Sequence, residues 1–293
     1  MSKHFLNLKD LTKTEILDLV KQAIDLKGSE KNSDYLHGKY LALIFEKSST
    51  RTRVSFEVAM SQLGGTASFL STKDLQLGRG EPLEDTAKVI SSMADGIVLR
   101  TINHSTIEIF AENSSVPIIN GLSDLSHPCQ LLADLTTYQE ENGDIEGKAV
   151  AWIGDYNNVC HTYLEAAKIL DFELRIGCPN QFLPSHLKEN KNLKIFDNPN
   201  QAASGASLIS TDVWVSMGDE EEIDERTKAF SKFQVTTELL DEADENVIFL
   251  HCLPAIRGQE VTSEVMEDER SKVWQQAENR LHAQKALLIS LLG

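Results

Sequence analysis

Cysteine is scarce in this sequence, and the few cysteines are not paired. Four occur among 293 residues, at positions 129, 160, 178 and 252, and no two of them form a C-x-x-C motif. Disulfide frameworks and structural zinc sites are built from closely spaced or paired cysteines. We therefore expect neither feature, and we expect a cytoplasmic protein that works in a reducing compartment.

Long apolar runs and an excess of positive charge are also missing. No run reaches the roughly eighteen apolar residues of a membrane helix, and the start, M-S-K-H-F-L-N-L-K-D, lacks the apolar segment of a signal peptide. The formal net charge is -17 at pH 7, whereas nucleic acids and anionic membranes select basic surfaces. We therefore expect no nucleic acid and no membrane as partners. The acidic runs 219–225 and 241–245 are interpreted as solvated surface.

What is present is a repeated alternation of short apolar runs with helical patterns. The candidate strands are 40–45, 96–100, 116–121, 149–154, 173–177, 206–210 and 247–250, and the first of them, Y-L-A-L-I-F, is continuously apolar. Continuous apolar runs of this length are typical of buried parallel strands. A turn at 142–144 separates two series, so the predicted fold class is α/β, with two doubly wound parallel-sheet domains covering 1–140 and 147–273. The pattern of 274–293 predicts a C-terminal helix that packs back on the first domain.

A helix start is encoded near the N-terminal end of the sequence. Thr12 is a suitable N-cap, Glu15 follows it three residues later, and Leu11 precedes it as an apolar staple toward Ile16. Apolar residues then recur at helical spacing. We predict a helix from this point to Gly28.

Polar clusters follow the predicted strands or lie near them. The clusters are S-S-T-R-T-R (48–53), Arg100 with Thr101, H-P-C-Q (127–130), D-V-W-V-S-M-G (212–218), H-C-L-P (251–254) and Asn279 with Arg280. Ligands of parallel sheets bind at the carboxyl ends of strands, so these clusters are candidate site residues. The first cluster places two arginines among four hydroxyl groups at a predicted helix N-terminus, which predicts a phosphate site.

Each cluster taken alone also has an ordinary structural explanation. Serine, threonine and aspartate cap helices, a histidine before proline stands in turns, and a free cysteine is often a small buried side chain. Arg280 has an acidic neighbour, Glu278, with which it could pair on a helix surface.

The order of the clusters along the chain favours a functional role for them over these structural explanations. S-T-R-T-R, H-P-C-Q, D-V-W-V-S-M-G, H-C-L-P and A-E-N-R resemble the ordered signature of the ornithine carbamoyltransferase family, over residues 5–292.

The resemblance implies an enzyme that transfers the carbamoyl group of carbamoyl phosphate to the δ-amine of L-ornithine. The products are L-citrulline and phosphate, and the reaction belongs to arginine metabolism. The first domain is then a carbamoyl-phosphate domain and the second an ornithine domain. The family forms homotrimers with shared active sites, which a loop containing Gln76 completes in the neighbouring subunit. No cofactor, metal ion or covalent intermediate is implied.

The resemblance also carries roles onto individual residues. The carbamoyl phosphate set is Ser49, Thr50, Arg51, Thr52, Gln76, Arg100, His127, Gln130, Cys252, Leu253 and Arg280. The ornithine set is Asn158, Asp212, Ser216 and Met217. The residues implied in catalysis are Arg100, His127, Cys252 and Arg280. Arg53 is expected to pair within the protein, and Cys129, in the third position of H-P-C-Q, is expected to make activity sensitive to thiol reagents.

Two alternatives stay open at this point. The first is a carbamoyltransferase with another amine acceptor, such as putrescine or an acylated ornithine, although Asp212, Ser216 and Met217 suit a free α-amino acid. The second is a doubly wound nucleotide-binding module. W-I-G-D-Y-N-N (152–158) sits at the corresponding turn but lacks the G-x-G-x-x-G pattern, which weakens that alternative.

Overall fold

The computed structural model of the chain describes residues 3–29, 33–71, 80–215 and 223–293. These residues form two compact units, one comprising Met1–Thr136 with Ala277–Gly293 and the other Thr137–Gln276. Within the described ranges, no helix combines the length and apolar character that crossing a membrane requires.

The first unit alternates strands and helices. Its strands are β1 (Tyr40–Phe45), β2 (Thr66–Ser71), β3 (Gly96–Arg100) and β4 (Ile118–Leu122). Its helices are α1 (Lys13–Gly28), α2 (Thr50–Gln62), α3 (Leu83–Ser91), α4 (His104–Asn113) and the start of α5 (Pro128–Asn142). The described strands pair in parallel, because a helix after each strand returns the chain to the same end of the sheet.

The first helix begins where the sequence predicts. The hydroxyl of Thr12 accepts from the backbone N–H of Glu15 at 3.3 Å, and the Glu15 carboxylate accepts from the backbone N–H of Thr12 at 2.8 Å. This reciprocal pair satisfies two N–H groups that have no partner inside the helix, and an N-cap of this kind stabilises a helix by about 1 kcal/mol. The burial of Ile16, Leu19 and Val20 fixes which face of α1 turns inward.

The strand order of the first sheet, as described, is β2-β1-β3-β4. The chain therefore leaves β1 toward one side and later returns to pair β3 on the other side of β1. Helices on opposite sides diverge at such a switch point, and the crevice beyond the carboxyl ends of the two strands is where ligands bind. A hydrophobic core of the first unit includes Ile44, Ile97, Leu99 and Phe110, and each fully buried side chain of this size contributes about 1.5–3 kcal/mol.

The second unit repeats this architecture with its own sheet. Its strands are β5 (Ala149–Ile153), β6 (Glu173–Gly177), β7 (Leu193–Phe196), β8 (Leu208–Thr211) and β9 (Ile248–His251). Its helices are α6 (Asn158–Leu170), α7 (Pro199–Ala203), α8 (Ile223–Phe230), α9 (Thr237–Asp241), α10 (Ser263–Glu267) and the start of α11 (Val273–Leu292). The rest of α11 belongs to the first unit.

The second described sheet is also parallel, in the order β7-β6-β5-β8-β9. Its switch point lies between β5 and β8, and there the hydroxyl of Thr211 donates to the backbone oxygen of Ile153. Gly154 follows β5 with φ +129°, and a Cβ at this position would lie 3.2 Å from the Thr211 hydroxyl, so glycine permits this close turn. The predicted α/β class with two doubly wound parallel sheets is confirmed.

Candidate active site

The predicted phosphate cluster forms the N-terminus of α2, directly after β1. Ser49 is the N-cap, and its hydroxyl accepts from the backbone N–H of Thr52 at 3.2 Å. Thr50 and Arg51 occupy the first helical turn. Ser49 is therefore a helix cap, as its ordinary structural explanation has it. Thr50 and Arg51 lie at the positive end of the helix dipole, where an anion is favoured.

Arg280 links two of the other predicted residues to this turn. Its side chain is 2% exposed, and it donates to the side-chain oxygen of Gln130 and to the hydroxyl of Thr52, both at 2.8 Å. Because the Thr52 oxygen accepts from a cation, its proton is free to be donated in another direction. The Gln130 amide nitrogen donates to Asp134 at 2.8 Å, so both ends of that amide are fixed. The surface pairing of Arg280 with Glu278 is not what the structure shows.

His127 is buried among the arginines of the first unit. It directly precedes α5, and it is 3% exposed. Burial, followed by the positive charges of Arg280, Arg100 and Arg51, holds the pKa of His127 well below its usual range. The imidazole is therefore neutral at physiological pH, with one nitrogen as a donor and the other as an acceptor. Arg100 ends β3 and is 9% exposed, so its charge lies at the same switch point.

The low pKa of His127 makes unfolding easier as the pH falls. Below about pH 6.5, the ordinary histidine value, the unfolded chain binds a proton that the folded side chain refuses, so stability increases with pH. We expect His127 to account for a loss of stability on the order of 1 kcal/mol between about pH 7.5 and about pH 5.5. Urea unfolding at both pH values measures this loss, which a His127→Gln variant should lack. An equal pH dependence in both proteins would contradict the assignment.

The second unit gathers residues from three neighbouring strands around one carboxylate. Asp212 follows β8, Cys252 follows β9, and Asn157 follows β5 as the N-cap of α6. One oxygen of Asp212 accepts from the Cys252 thiol at 3.1 Å and the other accepts from the Asn157 amide at 2.7 Å. Asp212 therefore accepts hydrogen bonds from two side chains at the β5–β8 switch point, and it does not cap a helix.

A buried pair shapes the H-C-L-P turn that carries Cys252. The side chains of His251 and Glu260 are 0% exposed, and Nε2 of the histidine lies 3.1 Å from a carboxylate oxygen of the glutamate. Nδ1 of His251 accepts from the backbone N–H of Leu253 at 2.9 Å, so the ring hydrogen is on Nε2 and points at Glu260. Leu253 has φ +58°, a left-handed conformation that is unfavourable for leucine. The hydrogen bond from its N–H holds that conformation.

Comparison with family models and known proteins decides the family. Residues 3–140 match the model described as "Aspartate/ornithine carbamoyltransferase, carbamoyl-P binding domain", and residues 146–291 match "Aspartate/ornithine carbamoyltransferase, Asp/Orn binding domain". The chain belongs to the aspartate/ornithine carbamoyltransferase family.

Relatives of this family member are similar over their whole length. An ornithine carbamoyltransferase of Hydrogenovibrio crunogenus is 55% identical over 99% of this chain and 98% of its own. One of Methylococcus capsulatus is 56% identical over the same shares. The crystal structure of ornithine carbamoyltransferase from Thermus thermophilus aligns with a TM-score of 0.93 at 40% identity, covering 100% of both chains.

Three side chains of this family member also have the chemistry of metal ligands. Ligand atoms of Asp212, His251 and Cys252 lie within 4.8 Å of one another. However, one ring nitrogen of His251 donates to Glu260 and the other accepts from Leu253. The histidine therefore has no lone pair left for a cation in this arrangement.

The surroundings of Cys129 argue against the prediction that this residue makes the enzyme sensitive to thiol reagents. Cys129 is 1% exposed, its thiol donates to the backbone oxygen of Asn120 at 3.3 Å, and burial raises its pKa to about 12. Thiolates are the reactive form, and burial disfavours the thiolate of Cys129. Cys160 and Cys178 are also buried with raised pKa values. Cys252 is the partly exposed cysteine.

We therefore expect iodoacetamide to inactivate the enzyme through Cys252. Peptide mapping after partial inactivation should find the label on Cys252, because its thiol is the one that solvent reaches, and ornithine should slow the reaction. A Cys252→Ala variant should be unaffected by the reagent, whereas a Cys129→Ala variant should be inactivated at the wild-type rate. Label on Cys129 at the same rate would contradict this prediction.

The structure thus groups most of the predicted residues into two sets. Ser49, Thr50, Arg51, Thr52, Arg100, His127, Gln130 and Arg280 lie in the first unit, and Asn158, Asp212, Cys252 and Leu253 lie in the second. Gln76, Ser216 and Met217 fall outside the described residues. Arg53 pairs with Glu57 at 3.0 Å and lies 4.0 Å from the ring centre of Phe69, which confirms its internal pairing.

Sequence reasoning missed Asn157, the neighbour of the predicted Asn158. The signal was in the sequence, since an asparagine before an apolar periodic stretch is a typical N-cap. Its contact with Asp212 had no such signal, because the contact depends on β5 and β8 being neighbours in the sheet.

Proposed function

We propose that the chain is an ornithine carbamoyltransferase, which converts carbamoyl phosphate and L-ornithine to L-citrulline and phosphate. The observation that carries this proposal is the likeness to ornithine carbamoyltransferases, at 55% and 56% identity over nearly the whole chain. The charges of Arg51, Arg100 and Arg280, which act on the buried His127 of the first unit, support it. Such a cluster in a protein of net charge -17 is a local anion site. Its position at the β1–β3 switch point is where a ligand of this fold binds.

The first unit supplies the groups that hold the leaving phosphate. Arg51, Ser49 and Thr50 stand at the start of α2, where a forked cation, hydroxyl groups and backbone N–H groups combine. Arg100, at the end of β3, reaches from the phosphate to the carbamoyl oxygen. Because these groups are already in place, they stabilise the charge that grows on phosphate without reorganising.

The carbamoyl group needs donors at its oxygen and acceptors at its nitrogen. The Thr52 proton, the Arg100 guanidinium and the His127 N–H supply the donors, and the neutral state of His127 lets it donate without adding a further charge. The side-chain oxygen of Gln130, which also accepts from Arg280, is the acceptor that the first unit supplies. Arg280 holds both Thr52 and Gln130, and its role is to orient this pocket.

The second unit supplies the groups that recognise ornithine. Asp212 and Ser216 bind the α-ammonium group. Asn158, the first residue of α6, and the backbone of Met217 bind the α-carboxylate. Cys252, bonded to Asp212, stands beside the δ-amine. That amine has an ordinary pKa of about 10.4, so it must lose a proton before it attacks.

The proposed step is a displacement at the carbamoyl carbon. The lone pair of the neutral δ-nitrogen forms the new C–N bond, the C–O bond to phosphate breaks, and phosphate leaves with that electron pair. The nitrogen then loses its extra proton to solvent or to a neighbouring base. Charge is greatest on the carbamoyl oxygen and the leaving oxygen during this step, and these are the two positions that the arginines of the first unit serve.

We further propose that the active enzyme is a cytoplasmic homotrimer, in which Gln76 of each subunit completes a neighbouring site. The four free thiols of the chain suit a reducing compartment. Light scattering of the purified protein tests the trimer. A monomer that is fully active would overturn both the assembly and the role of Gln76.

The proposed function is tested by offering several amine acceptors in parallel. Purified protein receives carbamoyl phosphate with ornithine, putrescine, N-acetylornithine or aspartate, and phosphate release and the ureido product are both measured. We expect turnover with ornithine, in equal amounts of citrulline and phosphate. Turnover with another acceptor alone would retain the phosphate site and overturn the assignment of Asp212.

A further inference from the structure

Asp212 is held in place by donors from several segments of the second unit. One of its oxygens accepts from the backbone N–H of Val213 at 2.9 Å and from the Cys252 thiol at 3.1 Å. The other accepts from the Asn157 amide at 2.7 Å. A carboxylate offers about four acceptor positions, so these three bonds fix the plane of the group and define the direction that remains for a substrate cation.

The orientation of the Asn157 amide follows from its neighbours. Its side-chain oxygen accepts from the backbone N–H groups of Val159, at 3.0 Å, and Cys160, at 3.1 Å. Two N–H donors identify that atom as the oxygen, which leaves the NH2 group for Asp212. Asn157 therefore has two separate tasks, one as the cap of α6 and the other as a donor across the β5–β8 switch point.

We propose that Asn157 is a positioning residue for ornithine binding. Through α6, which is anchored by the buried side chains of Val159, Tyr163 and Leu170, it fixes the rotation of the Asp212 carboxylate toward the α-ammonium group. This inference rests on the proposed function, since it assumes that Asp212 binds ornithine. It adds a residue that does not itself touch the substrate.

The two tasks of Asn157 can be separated by substitution. Serine caps helices about as well as asparagine, but its short side chain has no NH2 group to reach Asp212. Aspartate keeps both the cap and the shape, and it places a carboxylate oxygen where the 2.7 Å donor was, so two like charges face each other. Asn198 offers a matched control, because it caps α7 through the backbone N–H of Asn200 at 2.9 Å and is exposed.

The experiment compares wild type, Asn157→Ser, Asn157→Asp and Asn198→Ser by steady-state kinetics in both substrates and by thermal unfolding. We expect the KM for ornithine to increase on the order of tenfold in Asn157→Ser and a hundredfold in Asn157→Asp, from loss of a charge-assisted bond and from added repulsion. The KM for carbamoyl phosphate should stay within about twofold, and Asn198→Ser should resemble wild type in both. If Asn157→Ser does not fold, Asn157→Asp, which retains the cap, gives the answer.

The possible negative results have different meanings. A wild-type protein that turns over ornithine, with an unchanged ornithine KM in both Asn157 variants, would overturn the positioning role alone. An equal rise of both KM values, or the same loss in Asn198→Ser, would also overturn it, because either result indicates general damage to the unit. A wild-type protein that does not use ornithine would overturn the proposed function and this inference with it.

Discussion

Replacement of Arg51 by alanine is expected to lower kcat/KM for carbamoyl phosphate on the order of 10²- to 10³-fold. Arg51 lies in the first turn of α2, and its charge is one of the three that depress the pKa of His127. Phosphate departs as an anion, so a guanidinium at this place contributes most when the C–O bond is breaking. Initial rates over a range of carbamoyl phosphate concentrations, at saturating ornithine, measure the loss.

Arg53 supplies the matched control for this prediction. It carries the same charge two residues further along the same helix, but it pairs with Glu57 and lies over the Phe69 ring. An exposed ion pair of this kind contributes at most about 1 kcal/mol of stability, so Arg53→Ala should keep its kcat/KM within about threefold. A similar loss in both variants would mean that the cluster acts only through its overall charge, and that Arg51 has no specific role.

The interior strands of each sheet were predictable because buried apolar residues recur in them. The predicted strands at 40–45, 96–100 and 173–177 coincide with β1, β3 and β6, although Glu173 and Arg175 of β6 are only partly buried. The strands β2 and β7 were missed, and both lie at the edge of a sheet. None of the six residues of β2 is buried and only the first residue of β7 is, so neither segment shows the continuous apolar run that marks a buried parallel strand.

The candidate site was predictable as single residues and not as contacts. Arg51, His127, Asp212 and Arg280 are recognisable from short motifs, but the order of strands in a sheet decides which motifs meet. His251, the last residue of β9, pairs with Glu260 in the segment that follows. This short-range contact still had no signal, since a buried histidine and a solvated one look alike in sequence. The burial of Cys129 shows the same limit, because reactivity depends on surroundings that a motif does not contain.

Substitution of Asp212 by asparagine is expected to reduce kcat/KM for ornithine on the order of 10²-fold or more. The change removes the charge that we propose pairs with the α-ammonium group. It also introduces an NH2 group that must face a donor, since one oxygen of Asp212 accepts from Val213 and Cys252 and the other from Asn157. The KM for carbamoyl phosphate should change by less than about threefold, because hydrogen bonds to charged groups act locally.

An Asp171→Asn variant removes the same charge from the same unit without touching Asp212. Asp171 is exposed, ends α6 with φ +58°, and accepts from Lys191 at 2.9 Å. Asparagine tolerates this left-handed conformation and keeps an oxygen for the lysine, so activity should match wild type.

The ratio of ornithine turnover to putrescine turnover, measured for Asp212→Asn and for wild type, gives the sharper readout. Putrescine has no α-ammonium–α-carboxylate centre, so loss of Asp212 should penalise ornithine alone and bring the two rates closer together. A ratio that stays at its wild-type value while both rates fall would place Asp212 at the δ-amine, as part of the chemical step, and not at the α-ammonium group.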